Sequence, residues 1–175
     1  MEGIVQVAGV RNRTEMELLS AAGVDRIGFP LRLAHEEEDL PEEEAAGLME
    51  SIPEKAVIIT FLELAGDLYD FTQQLGIKRI ELHGGVAPHE LSSLQLLDPE
   101  ITITKSILAD TQDAAALEDR LHAYAPHVEG FTIDRPTWGG HPRMPDETFF
   151  PIAAHLVAQS PLPVMVGGGL NVENA

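Results

Sequence analysis

Three stretches of this 175-residue chain carry groups that could move protons or hold an anion. In Ile80-Glu81-Leu82-His83-Gly84, Glu81 and His83 stand two residues apart and so share one face of a strand. Both titrate in a range useful for general acid–base work, histidine nearest to neutral pH. In Phe131-Thr132-Ile133-Asp134 the same spacing puts Thr132 and Asp134 on one face. A strand-end carboxyl that is partly desolvated has a raised pKa and can serve as a general acid. The third stretch is Gly167-Gly168-Gly169-Leu170-Asn171, a turn whose backbone N–H groups can approach a phosphate at the start of a helix. Cysteine is absent, which excludes thiolate nucleophiles, disulfides and zinc–thiolate sites. A metal site from His83, Asp134 and His141 has no supporting ligand spacing, so no metal is expected. No G-x-G-x-x-G follows the first strand, which counts against a doubly wound dinucleotide-binding sheet. No cofactor is expected.

These residues need strand ends to hold them, and the chain reads as a series of strand–helix units. Expected strands are Ile4–Ala8, Arg26–Phe29, Ala56–Phe61, Arg79–His83, Ile101–Ile107, Gly130–Asp134 and Pro163–Val166. Between them fall helical patterns at Thr14–Ala22, Glu42–Ser51, Leu64–Gln74, His89–Leu96, Thr111–Ala125 and Phe149–Ala158. Thr14 with Glu17 predicts a capping box, and Gly23 and Gly76 predict helix stops. Strands alternating with helices imply a parallel sheet with helical crossovers. A doubly wound sheet and a (β/α)8 TIM barrel both fit, and the barrel is favoured. The reading recognises seven strands; the eighth strand–helix unit is expected but missing from this sequence. In such a barrel the C-terminal strand ends form the active face, which here means Ala8, Phe29 to Arg32, Phe61 to Glu63, His83, Lys105, Asp134 and the glycines.

The bulk properties fit one domain over residues 1–175, with 44% hydrophobic residues and a mean hydropathy of −0.01. No apolar run approaches the roughly 18 residues that span a bilayer, and no charged leader precedes the first strand. A cytoplasmic protein is expected. The 29 acidic residues against 11 basic give a net charge of −18, a field that repels nucleic acid and anionic membrane. A well-solvated surface explains it, and adaptation to high salt is the sharper reading, since only Lys55, Lys78 and Lys105 are lysines.

The strand ends also carry a family resemblance over nearly the whole chain. Gln6-Val7-Ala8-Gly9-Val10-Arg11-Asn12 resembles the K-[IV]-C-G-[IL]-[TR]-N opening of the phosphoribosylanthranilate isomerases. Ala22-Gly23-Val24-Asp25-Arg26-Ile27-Gly28-Phe29 resembles their A-G-A-D-x-[IL]-G-F. Ile80 to Gly84 resembles V-Q-L-H-G, and Val166 to Asn174 resembles A-G-G-L-x-P-E-N. Phe131 to Asp134 resembles the strand that ends in the family's catalytic Asp, with Gly139-Gly140 echoing the glycines after it.

The resemblance implies tryptophan biosynthesis and an Amadori rearrangement, in which an aminoaldose phosphate becomes an aminoketose phosphate. An acid protonates the ring oxygen and a base takes the C2′ proton of the opened imine. Asp134 falls on the family acid, and Ala8 falls on the cysteine base, so position 8 can neither take nor give a proton. His83 falls where the family also has histidine, and Lys105 matches a common family lysine. Gly167, Gly168 and Gly169 are the expected phosphate turn, which the family completes with a Ser-Gly segment after strand eight. Aligned on Pro41, Glu37 falls on the arginine that pairs with the anthranilate carboxylate; Arg32 and Arg135 are candidate replacements. The expected partner is a phosphorylated small molecule, with a homodimer as the assembly considered. Two rival readings are a divergent barrel enzyme on another sugar phosphate, using Asp134 with His83 or Lys105, and a non-catalytic binding protein.

Overall fold

The computed structural model describes residues 3–33, 40–138, 141–142 and 144–170, with side chains described outside 137–143. The chain divides into two compact units, Met1–Ile103 and Thr104–Ala175. The first holds β1 (Gln6–Ala8), α1 (Arg13–Ala21), β2 (Arg26–Pro30), α2 (Glu42–Met49), β3 (Ala56–Thr60), α3 (Ala65–Leu75), β4 (Arg79–Leu82) and α4 (Pro88–Leu97). The second holds most of β5 (Thr102–Leu108), then α5 (Ala114–Tyr124), β6 (Gly130–Asp134), a short ribbon of β7 (Thr137–Trp138) and β8 (His141–Pro142), α6 (Asp146–Gln159) and β9 (Val164–Gly167). Within each unit the main strands are parallel and lie in chain order. Seven parallel strands, six of them followed by a helix, make the series of a (β/α)8 barrel short of one unit among the described residues.

The elements form where their residues allow. β3 reads Ala-Val-Ile-Ile-Thr and is buried at all five positions, as a parallel strand covered on both faces must be. α3 ends at Gly76, whose φ of 68° is the left-handed conformation that only glycine adopts without steric cost. α1 is capped by Asn12 rather than Thr14: Asn12 Oδ1 accepts from Glu15 N–H at 2.9 Å, and Glu15 Oε2 accepts from Arg11 N–H at 2.9 Å. The Asn12/Glu15 pair has the same spacing as Thr14/Glu17, and asparagine is at least as good a cap. α5 starts at Ala114, because Asp113 accepts from the N–H groups of Ala115 and Ala116. α6 starts three residues before Phe149: its first turn is acidic, suits the helix dipole and shows no apolar period. The β7–β8 ribbon was not expected, although the Gly-Gly pair in the sequence between the two strands is a hairpin signal.

Register sorts the strand residues into two faces. In the first unit Gln6, Ala8, Gly28, Ile59 and Glu81 share one face. Ile27, Phe29, Ile58, Ile80 and Leu82 point the other way and are buried, as are Leu68 and Phe71 of α3 and Leu91 and Leu94 of α4. In the second unit Ile107, Phe131 and Ile133 pack with Leu117 and Leu121 of α5 and with Phe149, Ile152 and Leu156 of α6. Each such side chain contributes about 1.5–3 kcal/mol on leaving water. The opposite face of that unit carries Ser106, Thr132, Asp134 and Gly167.

Candidate functional site

The first unit gathers its polar groups around Glu81. Gln6 Nε2 donates to Glu81 Oε2 at 2.7 Å, and His83 Nε2 lies 2.9 Å from Glu81 Oε1. On a flat sheet β1 and β4 would stand about 14 Å apart, three strand spacings, beyond the reach of a perpendicular Gln and Glu. By register Gln6 is level with Ile77, four residues before Glu81, so the bond also runs diagonally. Curl and tilt together are what barrel strands have. Gly28 makes the inner face narrow: a Cβ there would lie 2.5 Å from Ile59 Cδ1 and 3.1 Å from Ala8 Cβ.

Around this centre the strand ends are well held. The Glu81 side chain is 4% exposed and that of His83 20%. His83 N–H donates to the Thr60 carbonyl at 2.9 Å, and its ring lies 5.4 Å from that of Phe61. Beyond it, Gly84 has a φ of 74°, and Gly85 N–H donates to Glu63 Oε1 at 2.9 Å. Ala8, the last residue of β1, is exposed and offers this face a methyl group only.

The second unit gathers its candidates at the end of β6. Asp134 pairs in register with Leu108 on one side and Gly167 on the other. A Cβ at Gly167 would stand 3.4 Å from Thr132 Cγ2 and 3.9 Å from Asp134 Oδ1, so these residues share one face. Asp134 is half-buried there. Gly168 and Gly169 both have positive φ, 86° and 70°. At Gly168 a side chain is excluded twice over, since its Cβ would fall 2.7 Å from the backbone nitrogen of Arg135. Successive residues of this kind make a turn whose N–H groups can converge on an anion.

Three basic residues are engaged with helices instead. Arg32 meets Glu42 at 2.9 Å, bonds Gln74 at 3.4 Å and lies 3.9 Å over the Phe71 ring. Its hydrogen bond and charge hold the Glu42 carboxyl below the usual range, against a smaller opposing effect of burial. Lys105 shares the helix-facing side of β5 with Ile107; it is buried, donates to the Ser106 carbonyl at 2.7 Å and lies 5.4 Å from the Tyr124 ring. Arg135 is buried over Phe149 and Phe150, its Nη2 2.6 Å from Asp146 Oδ1. Glu37, Gly139, Gly140 and the segment from Asn171 lie outside the described residues, as do the side chains of Trp138 and His141. No cluster able to hold a metal is found among the described residues.

The fold is that of a (β/α)8-type α/β protein, with Glu81, His83 and Asp134 and a glycine turn at the C-terminal ends of its strands. N-(5'-phosphoribosyl)anthranilate isomerase of Haloferax volcanii is 26% identical over 97% of this chain and 75% of its own length. The enzyme of the same name from Natronomonas pharaonis is 24% identical over 97% of this chain and 78% of its own. Among solved structures, monomeric forms of the dimeric phosphoribosylanthranilate isomerase of Thermotoga maritima superpose with a TM-score of 0.77, at 16% identity, over 99% of this chain and 79% of theirs. No family model matches the chain. Over nearly its whole length this chain is similar to phosphoribosylanthranilate isomerases, and Ala8 stands where that resemblance places a cysteine.

Sequence reasoning named Glu81 and His83 but not Gln6, the partner of Glu81. The only signal was position: Gln6 and Ala8 share a face of β1, and nothing local ties that face to β4.

Proposed function

We propose that the chain catalyses an Amadori aldose–ketose isomerisation of a phosphorylated aminosugar, as the names of its relatives suggest. The observation that carries this is Asp134 at the end of β6, on the face it shares with Thr132 and against the glycine turn. Asp134 is the acid that protonates the ring oxygen and opens the furanose. The turn at Gly167, Gly168 and Gly169 receives the phosphate through backbone N–H groups. The base acts next, taking the C2′ proton, and Ala8 supplies none. The reaction needs no cofactor. The proposed location is the cytoplasm; among the described residues no helix is long and apolar enough to cross a membrane. A homodimer is the proposed assembly, after the dimeric Thermotoga maritima relative.

Ala8 itself favours a second reading, a protein that binds the phosphorylated ligand without turnover. Rates on phosphoribosylanthranilate for the purified chain and for Ala8→Cys separate the two. Turnover by the unaltered chain supports the isomerase. Turnover by neither protein, with thermal stabilisation by the substrate, establishes the binder.

A further inference from the structure

We propose that Glu81 and His83 form the base that replaces the absent thiol, with Gln6 fixing the carboxylate. The inference rests on the isomerase reading above and names the group that reading leaves open. A carboxylate as buried as Glu81 persists in ionised form only when its oxygens are satisfied. Here one oxygen accepts from Gln6 and the other faces His83 at 2.9 Å. An ionised carboxylate can only accept, so His83 donates Nε2–H to it. With Nε2–H given to Glu81, Nδ1 is the ring atom that takes the proton, and the adjacent carboxylate stabilises the imidazolium so formed.

Placement supports the assignment. His83 follows the last residue of β4, on the inner face of the sheet, and its backbone N–H is held by Thr60. The patterns that this chain resembles have lysine at position 6, cysteine at 8 and glutamine at 81. Here these are Gln6, Ala8 and Glu81, all on one face of one unit. A thiol is gone, and a carboxylate has come beside the imidazole. The amide of a glutamine at 81 could not stabilise an imidazolium in the same way.

In the opened, protonated imine the C2′–H bond breaks and its proton passes to Nδ1. The electron pair of that bond forms C1′=C2′, and the imine π pair moves to nitrogen. The resulting enolamine becomes the ketose by gaining a proton at C1′ and losing the C2′ hydroxyl proton. No net oxidation or reduction occurs.

The test uses the full chain, with phosphoribosylanthranilate as the probe. Rates are measured for the unaltered protein and for Ala8→Cys, His83→Asn, His83→Ala and Glu81→Gln, with unfolding midpoints for each. His83→Asn should lose about 10²–10⁴-fold in kcat with KM within about threefold. Free imidazole should restore part of the activity of His83→Ala, which a purely structural histidine would not allow. Glu81→Gln, nearly isosteric, should lose kcat while KM holds, and it decides the matter if the His83 variants unfold. Ala8→Cys should gain less than about tenfold, because a base is already present. Full activity in a folded His83→Asn or Glu81→Gln overturns the proposal. So does an inert unaltered chain whose Ala8→Cys variant turns over, a result that leaves the isomerase site standing. If both are inert, the isomerase reading itself falls and the dyad falls with it.

Discussion

The end of β6 in the second unit and the ends of β1 and β4 in the first follow the resemblance to different degrees. At β6, Asp134 and the turn at Gly167 to Gly169 occupy the order and spacing that the resemblance leads one to expect. In the first unit, Ala8 stands where the resemblance leads one to expect a thiol, and a buried carboxylate is bound by both an amide and an imidazole. The contrast follows from how each function is built. Phosphate binding through backbone N–H groups constrains φ and the space around Cα, which glycine alone satisfies at Gly168. Proton removal constrains one titrating atom, and more than one side-chain chemistry can bring such an atom to a strand end.

The largest effect should come from Asp134→Asn. It removes the acid while keeping the shape, so kcat should fall about 10²–10⁴-fold with sugar-phosphate binding retained. Steady-state rates and a thermal-shift titration check both halves. Unchanged kcat would erase the contrast by showing that the β6 end is not the conserved half of the chemistry.

Two glycines sharpen it further. Gly168→Ala must adopt a φ of 86° with a Cβ 2.7 Å from backbone atoms that cannot move aside. It should cost about 1–3 kcal/mol, read as a lower denaturant midpoint, and weaken phosphate binding. Gly28→Ala meets Ile59 Cδ1, the far end of a side chain that can rotate away, at an ordinary φ. Its cost should be the smaller, about 1 kcal/mol. The reverse order would mean that the turn in the second unit is the more tolerant of the two.

The smallest effect concerns the acid side of the stability curve. The folded-state pKa of Glu42 is lowered, chiefly by its hydrogen bond to Arg32. Its contribution is therefore present above the unfolded pKa and lost as pH falls through the folded one. Glu42→Gln should flatten stability against pH below about 4.3 while leaving the neutral range within about 1 kcal/mol, measured by denaturation at stepped pH.

What the sequence could disclose followed the range of the interactions. β3 was legible because burial on both faces leaves a continuous apolar run, and α3 because its periodic face stops at Gly76. The faces of Glu81 with His83 and of Thr132 with Asp134 needed only the two-residue period of a strand. Helix starts were less legible, since Asn12 and Asp113 cap through hydrogen bonds that leave no apolar mark. For Arg32 and Lys105 strand position fixes only where the side chain starts, while long cationic chains reach partners that no local pattern names: Glu42 and Phe71 for one, Ser106 and Tyr124 for the other. Gln6 was out of reach altogether, its partner lying 75 positions away.

That separation has a consequence for the order of folding. β1 leaves the ribosome before β2 and can pair with it soon after, but the carboxylate that receives its Gln6 amide is made only with β4. Loop closure over such a distance is slow beside the local steps of helix formation. β1 therefore acquires its Gln6 tether late, and a fragment stalled before residue 81 would hold β1 by its backbone ladder to β2 and by Asp25, which accepts from Val5 N–H at 2.8 Å.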